Sequence, residues 1–191
     1  MTNEHPSNAW PACWTNVKER IVLDLGCGFF GLTPDIVLGK FSWGPWGKPE
    51  PIPGMITTTE HFLKQGAKQV IGVDANQIDI DCLIAKFADE IKAGRAQFFC
   101  WAMISAAQIA RTIQEYKIEI VKSDIEGAEH LILDMDEAVF SSVQEFYVEA
   151  HSHQIEADFM ATFRRLGYKI RGIIDQGGSR PVIFASREEP Q

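Results

Sequence analysis

Positive charge is scarce in this 191-residue chain: Lys and Arg total 18 against 26 Asp and Glu, for a formal net charge of -8 at pH 7. Phosphate backbones are held by dense Lys and Arg, and the sequence has no such cluster, so nucleic acid is not expected as a partner. Cysteine is sparse too. Cys13, Cys27, Cys82 and Cys100 form no CxxC pair, which excludes a zinc knuckle or a thioredoxin-like motif and reads as the reduced thiols of a cytoplasmic protein. The first residues, Met1 to Pro6, carry neither the basic stretch nor the apolar run of a secretory signal. No apolar run approaches the roughly 20 residues that cross a bilayer, so no membrane partner is expected. What the chain does have is 46% hydrophobic residues, enough for one buried core, and the reading is a single domain over 1–191.

Short aliphatic runs read as buried strands at Arg20 to Leu25, Gln69 to Asp74, Ala96 to Cys100, Ile118 to Lys122 and Val143 to Ala150. Tyr168 to Ile174 and Pro181 to Ala185 flank the turn-rich Asp175 to Ser179 and read as a closing hairpin. Helical spacing predicts Thr57 to Gln65, Ile78 to Ala93, Ile104 to Tyr116, Glu126 to Val139 and Gln154 to Leu166. Strands alternating with helices imply a mostly parallel sheet with helices on both faces. Seven strands ending in an antiparallel hairpin form the Rossmann-like variant found in class I methyltransferases that use S-adenosylmethionine (SAM). One stretch, at about 39–56, is rich in Gly and Pro, cannot be regular structure, and reads as an insertion.

The first strand runs into Asp24-Leu25-Gly26-Cys27-Gly28-Phe29-Phe30-Gly31. Glycine tolerates positive φ and lets a ligand approach the backbone. The GxGxxG spacing of Gly26, Gly28 and Gly31 does not by itself separate SAM from a dinucleotide. Asp24 tilts the reading: a carboxylate at the strand end suits the ammonium of a methionine moiety and sits badly against a pyrophosphate. Its other reading is a group that ties down the turn. Asp74, followed by Ala75, ends the second strand, where a carboxylate accepts from ribose hydroxyls or caps the next helix. Cys27 lies within the turn, and Trp101 and Ala102 follow the third strand where an adenine would lie.

The segment Lys122-Ser123-Asp124-Ile125-Glu126-Gly127-Ala128-Glu129 is more specific. With Asp24 to Gly31, Asp74 and Glu149-Ala150-His151, in this order, it resembles the FkbM-type SAM-dependent methyltransferases. The resemblance runs from about Ile21 to His151. It departs where Asp74-Ala75 replaces the more usual Glu-Pro, in an N-terminal extension that is largely missing, and in the aromatic insertion. It implies SAM as cofactor and methylation of oxygen on a small-molecule or glycan hydroxyl.

Ligands in open α/β sheets bind beyond the carboxyl ends of the strands, so Asp24, Asp74, Asp124, Glu149 and His151 should converge there. A hydroxyl acceptor must lose a proton, which makes His151 the first choice of base, with Asp124 or Glu126 orienting the acceptor or assisting as base, and Glu149 orienting His151 or binding substrate. Asp124 is also counted on the cofactor side. The bland alternative is that Asp124 and Glu126 cap a helix and His151 is a loop residue. A hard divalent cation on these groups stays open, but no spacing demands one and no metal ligands are assigned. Trp43 and Trp46, with His153, are candidates for acceptor contacts, the tryptophans as a lid or as a homodimer contact. The alternatives in function are a NAD(P)-dependent oxidoreductase, against which stands the lack of a Tyr-x-x-x-Lys pair, and a SAM-binding domain without catalysis.

Overall fold

A computed structural model describes residues 17–28, 57–175 and 180–187. Gly31, Trp43, Trp46, Cys13 and the stretch at 39–56 lie outside these residues.

Seven strands form one sheet: β1 (Ile21–Leu25), β2 (Gln69–Asp74), β3 (Ala96–Cys100), β4 (Ile120–Ser123), β5 (Glu145–Glu149), β6 (Tyr168–Asp175) and β7 (Pro181–Arg187). Their order is β3-β2-β1-β4-β5-β7-β6. All pairings from β3 to β5 are parallel, and β7 runs antiparallel between β5 and β6. This is the expected sheet, closing hairpin included. The order reverses between β1 and β4, which opens a crevice at their carboxyl ends. The register aligns those ends: Leu25 sits opposite both Val73 and Ser123, Asp74 opposite Cys100, and Ser123 opposite Val148.

Successive strand side chains point to opposite faces, so each strand feeds two cores. Val22, Val70, Ile120 and Tyr147 face one core, under α1 (Thr58–Lys64) and α2 (Gln77–Lys86). Leu23, Ile71, Val121 and Phe146 face the other, under α4 (Ala106–Tyr116) and α6 (His153–Arg165) with the short α5 (His130–Leu133), while the short α3 (Ala88–Lys92) follows α2 on the first face. Phe146 is fully buried, its ring centroid 4.9 Å from that of Phe163 and 5.5 Å from that of Phe140. Such a side chain contributes about 1.5–3 kcal/mol through burial alone. Among the described residues no helix is long and apolar enough to cross a membrane.

Side-chain caps start the helices. Thr57 accepts from Glu60 N, Asn76 from Ile78 N, Ser105 from Gln108 N and Ser152 from Ile155 N. Two helical expectations need correction. The run from Ile78 to Ala93 breaks at Phe87 (φ -107°, ψ 27°) into α2 and α3. The run from Glu126 to Val139 is not one helix. Glu126 and Gly127 take positive φ (51° and 98°), which an α-helix cannot accommodate. Only the single turn α5 and a 3-10 helix at Glu137–Ser141, started by the Asp136 side chain, remain.

Candidate active site

Gly26 (φ 71°) follows β1, and its N–H donates to Val73 O at 2.8 Å. A Cβ on Gly26 would stand 1.7 Å from the carbonyl oxygen of Asp124, so only glycine lets the turn after β1 lie on the turn after β4. Two positions on, Gly28 N donates to Asp74 Oδ2 at 2.9 Å, and a Cβ there would come within 2.6 Å of that same oxygen. The other oxygen of Asp74 accepts from Asn76 N at 2.8 Å.

An open crevice of about 200 Å³ lies beside this junction. Its walls are Gly26, Val73, Asp74, Ala75, Trp101, Ala102, Ile104, Asp124, Ile125 and Glu126. Trp101 is half-buried and stacks on Phe99, with centroids 6.0 Å apart. The described part of the crevice is thus largely apolar, with carboxylates at its floor and rim.

Of the cofactor residues expected in the glycine turn, Asp24, Cys27 and Gly28 are not on that wall. Cys27 is fully buried, and burial, with the nearby charges of Asp24 and Asp74, holds its thiol well above the ordinary cysteine range. Asp24 is also fully buried, and its contacts hold the fold together. Its Oδ2 accepts from the hydroxyls of Thr58 (2.7 Å) and Thr59 (2.8 Å), and its Oδ1 pairs with Lys122 Nζ at 3.1 Å. Lys122 has no exposed surface and also donates to the carbonyls of Leu25 (3.2 Å) and Gly26 (2.7 Å). Burial alone would favour the neutral amine, but the charges of Asp24 and Asp124 keep its pKa above the ordinary lysine value. Asp24 and Lys122 therefore clamp the turn from behind.

The second half of the site is built on Glu129, which has no exposed surface. The positive-φ turn at Glu126 and Gly127 folds the backbone around it, so that Ile125 N (3.2 Å) and Gly127 N (3.1 Å) donate to its Oε1. His151 Nδ1 donates to the same oxygen at 2.8 Å. Burial alone would raise the pKa of Glu129, but these hydrogen bonds, that of His151 first, bring it below the ordinary glutamate value. The ionised carboxylate can only accept, so it fixes the tautomer: the proton sits on Nδ1 and the lone pair on Nε2. His151 is held above its ordinary pKa by the bond to Glu129, with burial opposing.

Nε2 then faces Glu126 Oε2 at 3.3 Å, Asp124 Oδ1 at 3.7 Å and Glu149 Oε1 at 3.8 Å. Nε2 and Asp124 Oδ1 are both buried, and neither has a hydrogen-bond partner among the described residues. Burial raises the pKa of Asp124, with Lys122 and His151 acting against it. Burial and the charge of Asp124 push Glu149 up to about 7.

The structure thus brings Asp124, Glu126, Glu149 and His151 together, with Asp124 and Glu126 shared with the crevice wall. His153 stands apart: its side chain is 84% exposed at the start of α6 and reaches only Glu156, at 3.5 Å. Sequence reasoning gave no role to Glu129 or Lys122, although both lie in the segment that carried the resemblance. The signal was there in part, since charged residues inside so specific a segment invite the question of what they hold.

No protein-family model matches the chain, and no curated protein matches its sequence. Solved structures do match in fold. A Clostridium thermocellum protein described as an rRNA methylase superposes with a TM-score of 0.58 at 9% identity, covering 100% of both chains. Sp1610 of Streptococcus pneumoniae, described as a tRNA (m1A22) methyltransferase and solved with S-adenosyl-L-methionine, gives 0.56 at 12% identity, covering 96% of this chain and 72% of its own. The ribosomal protein L11 methylase of Lactobacillus delbrueckii subsp. bulgaricus gives 0.53 at 12%, covering 96% and 78%.

These names overturn the expectation that nucleic acid is excluded as a partner. Net charge is a sum over the whole surface, whereas one base or one side chain is recognised locally, so a charge of -8 does not decide the acceptor. What the sheet order and these superpositions establish is that the chain has the fold of the class I SAM-dependent methyltransferases.

Proposed function

We propose that this protein is a SAM-dependent methyltransferase of the FkbM type acting on a hydroxyl. The observation that carries the reading is the crevice at the β1/β4 switch point, walled by Gly26, Asp74, Ala75, Trp101, Ala102 and Asp124. The residues there fit the cofactor chemically. Gly26 leaves backbone exposed where a side chain cannot stand, Asp74 offers carboxylate oxygens to a ribose diol, and Trp101 offers a flat apolar face to adenine. The antiparallel β7 between β5 and β6 supports this over the oxidoreductase alternative.

The acceptor side is assigned to Asp124, Glu126, Glu149 and His151. When bound, SAM would supply a sulfonium methyl group for transfer to the acceptor oxygen, and His151 Nε2 would take the hydroxyl proton. In the neutral ring Glu129 holds the proton on Nδ1, which aims Nε2 as the basic nitrogen and raises its proton affinity, while Asp124 and Glu149 flank the acceptor.

Calorimetry with SAM, its demethylated product and NAD tests the cofactor. SAM and the product should bind and NAD should not; binding of NAD without SAM would overturn the proposal. A methyl-transfer screen then runs across sugars, polyketide hydroxyls, tRNA and rRNA.

A further inference from the structure

We propose that His151 Nε2, Asp124 Oδ1 and Glu126 Oε2 form a binding site for one first-row divalent cation, with Glu149 as a flanking carboxylate. The three donor atoms lie within 4.8 Å of one another. From Nε2, the carboxylate oxygens of Glu126, Asp124 and Glu149 stand at 3.3, 3.7 and 3.8 Å. Bonds of about 2.1 Å at a tetrahedral angle place donors about 3.4 Å apart, so these separations suit an ion between them after small adjustments.

A cluster of acids alone would not make a site, but two further features point inward. Nε2 and Asp124 Oδ1 belong to side chains only 9% and 8% exposed, and neither atom has a hydrogen-bond partner among the described residues. Two buried polar atoms left unpaired and facing each other cost free energy, and an ion between them satisfies both. The other feature is Glu129, which holds Nδ1–H at 2.8 Å. Carboxylate to histidine to metal is the arrangement that orients a metal-binding imidazole and raises its donor strength.

The donor set selects the ion. One imidazole with carboxylates suits Mn²⁺, Co²⁺ or Zn²⁺, whereas Mg²⁺ and Ca²⁺ favour oxygen alone. Glu126 is 68% exposed and lies on the way in from solvent. The nearby cations do not fill the place: Lys122 Nζ is bonded to Asp24 and to two carbonyls, and Arg180 is an exposed side chain 3.8 Å from Glu126. The catalytic meaning rests on the function proposed above: an acceptor hydroxyl reaching this ion would be acidified by it and would lose its proton to the flanking Glu149 carboxylate, with His151 serving as ligand in place of base.

The experiment is a titration of the chelator-treated full chain with Mn²⁺, read by loss of the free-ion EPR signal. One ion per chain should bind. His151→Gln and Glu126→Gln should each weaken binding by at least about tenfold. His151 is not on the crevice wall and Glu126 is exposed, so circular dichroism should show both variants folded. Failure of the wild-type chain to bind Mn²⁺, or unchanged affinity in both variants, overturns the site. SAM calorimetry on the same samples separates the two proposals. Mn²⁺ binding without SAM binding leaves the ion site standing and removes the methyltransferase reading; SAM binding without Mn²⁺ does the reverse.

Discussion

His151 Nδ1 stands 2.8 Å from Oε1 of Glu129, a carboxylate 22 residues earlier with no exposed surface. The same oxygen accepts from two backbone N–H groups, so the histidine is docked onto a rigid turn. Glu129→Gln removes the charge and lets the imidazole sample both tautomers. The expected outcome is a kcat reduced by roughly 10- to 100-fold. SAM affinity should be retained, because Glu129 is not on the crevice wall. Nitrogen NMR of His151 should show a tautomer mixture in the variant; an unchanged single tautomer would show that the carboxylate does not set it.

Asp74→Ala should weaken SAM binding by roughly 10- to 150-fold. This follows from one charge-assisted hydrogen bond, about 1.5–3 kcal/mol. The same change removes the acceptor of Gly28 N and Asn76 N, so part of the loss arises from a loosened turn. Asp74→Asn separates the two contributions: it keeps an acceptor for one N–H and should recover part of the affinity. Calorimetry on both variants decides.

Gly26→Ala should destabilise the fold by about 2–5 kcal/mol. The estimate combines the cost of a left-handed backbone for a residue with a Cβ and that of overpacking. The atom it meets is a backbone carbonyl, which cannot swing away as a side chain would. Urea denaturation is the measurement, and an unchanged midpoint would refute the argument.

Lys122→Met should cost about 3–5 kcal/mol, because Asp24 is left charged, buried and unpaired. The double variant Asp24→Asn with Lys122→Met should recover much of that loss. Additive losses in a double-mutant cycle would show that the two groups do not depend on each other.

The sheet was legible from the sequence because its inner strands are buried on both faces and its edge strands still stand out as short apolar runs. Gln69 to Asp74 and Ala96 to Cys100 emerge with both ends as read, since an aliphatic run bounded by polar or glycine residues leaves little choice. The segment after Asp124 misled. Leu131, Ile132 and Met135 pack against the core at helical spacing, yet Glu126 and Gly127 take backbone angles no helix contains. Spacing reports which face is buried, not how many hydrogen bonds join the turns.

The crevice wall was readable because its residues sit at strand ends, which sequence locates. The Glu129–His151 and Asp24–Lys122 pairs were not. Each depends on a parallel crossover that brings distant segments side by side, and a buried lysine reads as a surface residue until its partners are known.

The contact of Gly26 with the carbonyl of Asp124 has a consequence for redesign. It is a seam of main chain on main chain, holding the cofactor-side turn against the acid-bearing turn with no side chain between. Substitution can vary the walls on either side of such a seam while leaving its geometry untouched. Under the proposed methyl transfer, the distance from donor to acceptor would be inherited with the backbone, and changes of acceptor would have to come from the residues around it.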